Sequence, residues 1–175
     1  PEPCNDPLSF ETEQRFVAVE KEPQDTDVWR VAIFMSPLDV HVNRAPFAST
    51  IIAMEHRTGK GRRRGPFAPA FRKESEYNER VRTIFESKDG KRVEVMQISG
   101  ALARTIIPWK GIGDTLRRGE RYGMIRLGSR VDVRVPAAYY EPQVISADAQ
   151  DPKFPKGQFV KAGSDIIFKR ILEEE

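Results

Sequence analysis

The feature that most restricts this chain is a series of short β-forming runs, each closed by glycine, proline or a polar turn. Val28–Met35 (VWRVAIFM) is the strongest, rich in β-branched and aromatic residues and stopped by Ser36-Pro37-Leu38-Asp39. Residues 15–19 alternate apolar and polar, and 47–54, 93–98, 103–107, 123–127 and 131–135 read as further strands. Lys88-Asp89-Gly90-Lys91 between apolar runs is a hairpin signal. A last strand pair is expected over 158–168, around Lys161-Ala162-Gly163. Residues 136–157, with four prolines, read as loop. One segment breaks the pattern. Over 71–87 charge is dense and Tyr77, Val81, Ile84 and Phe85 recur at three or four residues, which predicts a helix. Its end, 83–85, already has extended character. Many short strands with one or two short helices give a mainly β fold.

A chain of 175 residues with 39% apolar content can bury one core. No run of 18 apolar residues is present, and no signal peptide opens the chain. It starts Pro1-Glu2-Pro3-Cys4 without a Met, so a fragment or a processed form is expected. The lone Cys4 cannot form an internal disulfide, and a reducing compartment is the default. His41 and His56 lack metal-ligand spacing, so no metal is expected. Net charge is only +3, but residues 57–65 hold five cations among three glycines. That run reads either as a solvated loop or as a contact for anions such as acidic lipid headgroups. No aromatics interleave in it, which argues against nucleic acid. Phosphate-binding and dinucleotide-binding glycine loops are absent, as is the Gly-x-Ser-x-Gly elbow.

What remains is Leu127-Gly128-Ser129-Arg130, between two β runs. Alone, a Gly-Ser pair is a turn. In its setting, Arg121 to Val133, it resembles the processing site of the phosphatidylserine decarboxylases, most closely the short members. Four other blocks agree in order. Ser36-Pro37-Leu38-Asp39-Val40-His41 resembles the family's Ser-Pro-x-Asp-x-His block, and Asn78-Glu79-Arg80 its Asn-Glu-Arg block. Gln97-Ile98-Ser99-Gly100-Ala101-Leu102-Ala103-Arg104 is similar to its Gln-Ile-x-Gly-x-x-Ala-Arg block. Gly157 to Gly163 resembles its closing, biotinyl/lipoyl-type hairpin. The likeness covers about residues 31–168.

The resemblance implies a lipoyl/biotinyl-like β-sandwich. Residues 1–30 become an N-terminal segment, truncated or divergent, and 31–175 the decarboxylase domain. It implies that the Ser129 hydroxyl attacks the Gly128 carbonyl and turns the peptide into an ester. Elimination and hydrolysis then cut the chain between Gly128 and Ser129, leaving a β chain to 128 and an α chain headed by a pyruvoyl group made from Ser129. That self-made cofactor serves as the electron sink for decarboxylating a serine phospholipid, phosphatidylserine or archaetidylserine, to the ethanolamine phospholipid.

His41 is expected to transfer the proton near neutral pH. Asp39 either orients His41 or caps the turn. Arg44, Arg126 and Arg130 are candidates for the substrate phosphate, by charge alone. His56 is either a surface residue or part of the site lining. The long members cleave themselves with an Asp-His-Ser triad whose His stands three residues past the position of His41. Arg44 stands there, and arginine is no general base at neutral pH. Either His41 serves both reactions or processing uses another base. The likeness further implies a homodimer of processed units, peripheral on the cytoplasmic side of a membrane. The rival reading is a non-catalytic β-sandwich module that binds acidic lipid headgroups.

Overall fold

The computed structural model describes residues 8–9, 16–21, 28–58, 78–100, 105–126, 129–144 and 158–171. Among them, thirteen strands form three antiparallel sheets, and no helix occurs. The large sheet has the order β2-β3-β11-β7-β6-β5-β9. Its strands are β2 (Phe16–Lys21), β3 (Val28–Met35), β5 (Ser49–Arg57), β6 (Arg80–Glu86), β7 (Arg92–Ser99), β9 (Thr115–Leu116) and β11 (Ser129–Pro136). A second sheet, β4-β10-β8, comprises β4 (Val42–Arg44), β10 (Arg121–Ile125) and β8 (Ile106–Pro108). A third, β1-β13-β12, comprises β1 (Leu8–Ser9), β13 (Ile166–Arg170) and β12 (Tyr140–Pro142).

Period-two patterning explains the layers. In β11, Val131, Val133 and Val135 are fully buried on one face, level with Val31 and Ile33 of β3 and Val95 of β7. The small sheets close over that face. Ala45, Ile106, Tyr122 and Ile125 from the second sheet, and Tyr140, Ile167 and Phe168 from the third, join the same core. The Phe85 ring of β6 meets the edge of Tyr122 of β10 at 5.1 Å and 77°. Each fully buried Val, Ile or Phe contributes about 1.5–3 kcal/mol, so this seam holds the layers together.

The helix expected over 71–87 is overturned for the part described: Arg80–Glu86 is a strand of the large sheet. Residues 71–77 lie outside the described residues. Val81, Thr83 and Phe85 face the core, a period of two hidden in the sequence because Thr83 reads as polar. The hairpin after it forms at Ser87–Lys91, where Gly90 takes φ +79° and the Ser87 amide donates to the Lys91 carbonyl at 2.9 Å. The expected closing strand pair is reduced to one arm. Val160 is a single bridge residue, and β13 pairs instead with β1 and β12. The loop expected over 136–157 contains β12, and its stretch 145–157 is outside the described residues. Residues before 30 contribute two strands: β2 pairs along β3 from Phe16↔Phe34 to Lys21↔Trp29, and β1 pairs with β13.

Candidate functional site

Ser129 opens β11, the strand in the large sheet between β3 and β7. It is register partner to Met35 on one side and Ser99 on the other. It faces the core with the β11 valines and is fully buried. Its Oγ donates to the Met35 sulfur at 3.8 Å, a weak acceptor. Gly128, the other half of the expected cleavage pair, lies outside the described residues.

His41 reaches this region through the backbone. After Met35 the chain turns at 36–39 and crosses to the end of β10, where the Ile125 amide donates to the His41 carbonyl at 3.0 Å. Segments 35–41 and 125–129 are thus tied at both ends, Met35 to Ser129 and His41 to Ile125. The His41 Nδ1 lies 2.6 Å from the Asp39 carbonyl oxygen. A carbonyl only accepts, so Nδ1 carries the hydrogen. The Asp39 carboxylate does something else. Its Oδ2 accepts from the Ser36 amide at 2.6 Å, while the Asp39 amide donates to the Ser36 carbonyl at 3.0 Å. Of the two roles expected for Asp39, the side chain caps the turn; only its backbone touches His41.

The three arginines separate. Arg126 is exposed, one residue past Ile125, with its amide donating to the Thr105 carbonyl at 3.1 Å. Arg44 lies at the far end of β4, donates Nη1 to the Gly119 carbonyl at 2.8 Å and pairs with Arg121 in register. Burial first, and then the Arg121 charge, lower its pKa. Arg130, a phosphate candidate by charge alone, points to the face of the sheet opposite Ser129. There its Nε and Nη2 donate to the two Asp132 carboxylate oxygens at 2.5 Å each, and it stacks over Phe34 at 5.6 Å. His56, half exposed, bonds Glu79 at 2.8 Å, and its register partner is the core-facing Val81 of β6.

The opposite face of the large sheet is an ionic lattice. Arg30 lies 3.9 Å from Asp132, Arg134 and Arg82 both bond Glu94, and Arg57 bonds Glu55. Arg57 begins the basic run; residues 59–65 of that run lie outside the described residues.

Beside Ser129 lies a group of neutral polar side chains to which the sequence assigned no roles. Asn43, Asn78, Gln97 and Ser99 are all buried. Gln97 Nε2 donates to Asn43 Oδ1 at 2.6 Å, and Asn78 Nδ2 donates to the Ser99 carbonyl at 2.8 Å. The Ser99 amide donates to the Glu79 carbonyl at 2.9 Å. Among the described residues, the Ser99 hydroxyl and Gln97 Oε1 have no hydrogen-bond partner. Gly123 of β10 lets this group close up, since a Cβ there would meet the Ile107 carbonyl at 3.0 Å and Gln97 Nε2 at 3.4 Å. The only signal for the group in the sequence is polar residues at core-facing positions of strands, visible once register is known. Among the described residues, no three His, Cys, Asp or Glu side chains converge as metal ligands do. No helix among them is long and apolar enough to cross a membrane.

The surroundings of Ser129 suit a small neutral keto-amide in its place. A pyruvoyl group is close to serine in size, and the side chains named around it are uncharged, with an unpartnered hydroxyl from Ser99.

Comparison with known proteins adds a second line. The family model described as phosphatidylserine decarboxylase matches residues 9–168. A phosphatidylserine decarboxylase proenzyme of Streptomyces griseus is 53% identical over 107 residues, 61% of this chain and 46% of that protein. One from Ruegeria pomeroyi is 38% identical over 143 residues, 82% of this chain and 58% of its own. A Methanococcoides burtonii protein, provisionally named an archaetidylserine decarboxylase proenzyme, is 37% identical over 155 residues, 89% of this chain and 66% of its own. The chain spans about half the length of the Streptomyces relatives. No solved structure matches it.

Proposed function

This chain belongs to the phosphatidylserine decarboxylase family, and from that premise we propose that it cleaves itself between Gly128 and Ser129 and decarboxylates a serine phospholipid. The observation that carries the reading is Ser129 itself. It is the one hydroxyl on the buried face of a strand that otherwise presents valines there. Burying a hydroxyl against a thioether costs about 1–3 kcal/mol relative to a well-paired one. A binding module would lose nothing by placing valine there; a self-cleaving precursor needs the nucleophile.

In the first reaction the Ser129 oxygen attacks the preceding carbonyl, loss of the Ser129 α-proton releases the Gly128 carboxylate, and the dehydroalanine left at 129 takes up water and loses ammonia to become the pyruvoyl group. The resulting pyruvoyl group supplies the electron sink that stabilises charge left by departing CO2. This chain's own groups do the rest. Arg126, exposed beside His41, holds the phosphodiester by charge. His41, oriented through Nδ1, delivers a proton from Nε2 to the carbon that lost CO2. The turn that carries Asp39 fixes His41 without placing a carboxylate on its ring.

The substrate class follows from relatives named for phosphatidylserine and archaetidylserine decarboxylation. We propose that the protein works at a membrane surface on the cytoplasmic side, as a homodimer of processed units. Support for the surface contact comes from the basic run 57–65 and from Leu38 and Val40, which flank Asp39 and are 96% and 41% exposed. Intact mass under denaturing conditions tests the central step. Two fragments, 1–128 and 129–175, the second blocked at its start, are expected. A single full-length species from the complete protein would defeat the reading. Sedimentation with serine-phospholipid vesicles tests the surface contact, and protein remaining in the supernatant would refute it.

A further inference from the structure

We infer that Ser99 is the positioning residue for self-cleavage: its hydroxyl draws the Ser129 hydroxyl away from Met35 and aims it at the preceding carbonyl. The inference rests on the proposed cleavage at Ser129 and adds a residue to it.

Three observations meet at this position. First, Ser99 and Ser129 are direct register partners on adjacent antiparallel strands, so their side chains project to the same face with Cβ atoms about 5 Å apart. Second, Ser99 is fully buried, yet its Oγ has no partner among the described residues. Its backbone, by contrast, is anchored twice, the amide to Glu79 and the carbonyl to Asn78. The residue is held rigidly with an uncommitted hydroxyl. Third, among the described residues the Ser129 hydroxyl meets only a sulfur, at 3.8 Å. A serine on a strand has staggered alternatives, and one toward β7 exchanges a thioether for a hydroxyl, a far better acceptor.

The step balances as follows. The Ser129 Oγ–carbonyl carbon bond forms and the Gly128 carbon–nitrogen bond breaks. The Ser129 hydroxyl proton ends on the freed nitrogen, with the Ser99 hydroxyl as its hydrogen-bond partner at the start. Ser99 takes no net proton, so it positions and does not replace the base. This matters because Arg44 stands where the long members carry their triad histidine. With no histidine there, orientation of the nucleophile bears more of the load.

The test follows processing of newly made full-length protein in cell-free synthesis, with thermal unfolding measured in parallel. Ser99→Ala should slow cleavage about tenfold, the rate equivalent of one lost hydrogen bond. It should leave unfolding temperature unchanged or raised, since it deletes an unpaired buried group. Ser99→Thr, which keeps the hydroxyl, should restore much of the rate. Thr83→Val is the control. Thr83 is equally buried on the same face with an unpartnered Oγ1, but pairs with Val95 two rungs away from Ser129. Its cleavage rate should match wild type. Hydroxylamine, which traps the ester, should find no excess ester in Ser99→Ala. Cleavage of Ser99→Ala at the wild-type rate would overturn the inference, as would equal slowing by Thr83→Val or accumulation of ester. Failure of wild type itself to cleave would instead defeat the function proposed above.

Discussion

The two faces of the large sheet treat polar residues in opposite ways. On the outer face Arg130, Asp132, Arg30, Arg134, Glu94 and Arg82 are joined in ion pairs. On the inner face Ser99, Thr83 and Gln97 keep hydroxyl or carbonyl oxygens without partners, and Ser129 has only a sulfur. The same strands carry both sets, alternating residue by residue: Ser129 points in and Arg130 out. A paired charge is committed to holding strands together. An unpartnered buried hydroxyl costs stability, and of Ser99 and Thr83 only Ser99 is register partner to Ser129. Charge density therefore misleads as a guide to the proposed site, since Ser129 lies on the less polar face.

Substitutions on the two faces should separate accordingly. Ser129→Ala should abolish cleavage and decarboxylation while leaving the fold intact. Intact mass and thermal unfolding read both, and a destabilised variant would show that Ser129 is structural after all. His41→Gln should lower decarboxylation about 10²–10⁴-fold in the processed protein. Whether that variant still cleaves decides if His41 serves both reactions; unaltered turnover would remove it from the site. Asp132→Asn acts on the other face. It leaves the Arg130 guanidinium buried and poorly paired, at a cost of about 3–5 kcal/mol in denaturant titrations. Cleavage at low temperature should persist, and its loss there would couple the faces.

The smallest effect is expected at the hairpin. The Asp89 carboxyl is held below its usual range, chiefly by the Ser87 hydroxyl and also by Arg170. Its contribution is complete above the ordinary carboxylate pKa and fades as pH falls through the lowered one. Arg170→Ala should cost under about 1 kcal/mol, and the difference from wild type should shrink in acid. A difference that grew in acid would contradict the pairing.

Strand positions were largely legible because β-branched runs and glycine breaks are local signals. Val28–Met35 was readable to the residue. The segment 80–86 was not, since a threonine in the core disguised alternation as helical spacing. Motif blocks supplied Ser129 and His41 as candidates, and the structure ties their segments together. The partners of Asp39, Arg44 and Arg130 were not legible, because turn geometry or strand facing decides each. Ser99 lay further from view. Nothing in the sequence marks it as the neighbour of a residue thirty positions away; only β7–β11 register does.

Ser129 heads a strand paired with β3 along its whole length and with β7 from Ser129 to Arg134. A molecule cut before Ser129 therefore has its new chain end embedded between two strands of the other piece. The pieces stay together through three ladders, β11 with β3 and β7 and β13 with β1, and one core, and cannot part without melting the sheets. Return from that melt is a meeting of two chains, dependent on concentration, whereas the precursor folded as one. Maturation would make folding a journey taken once.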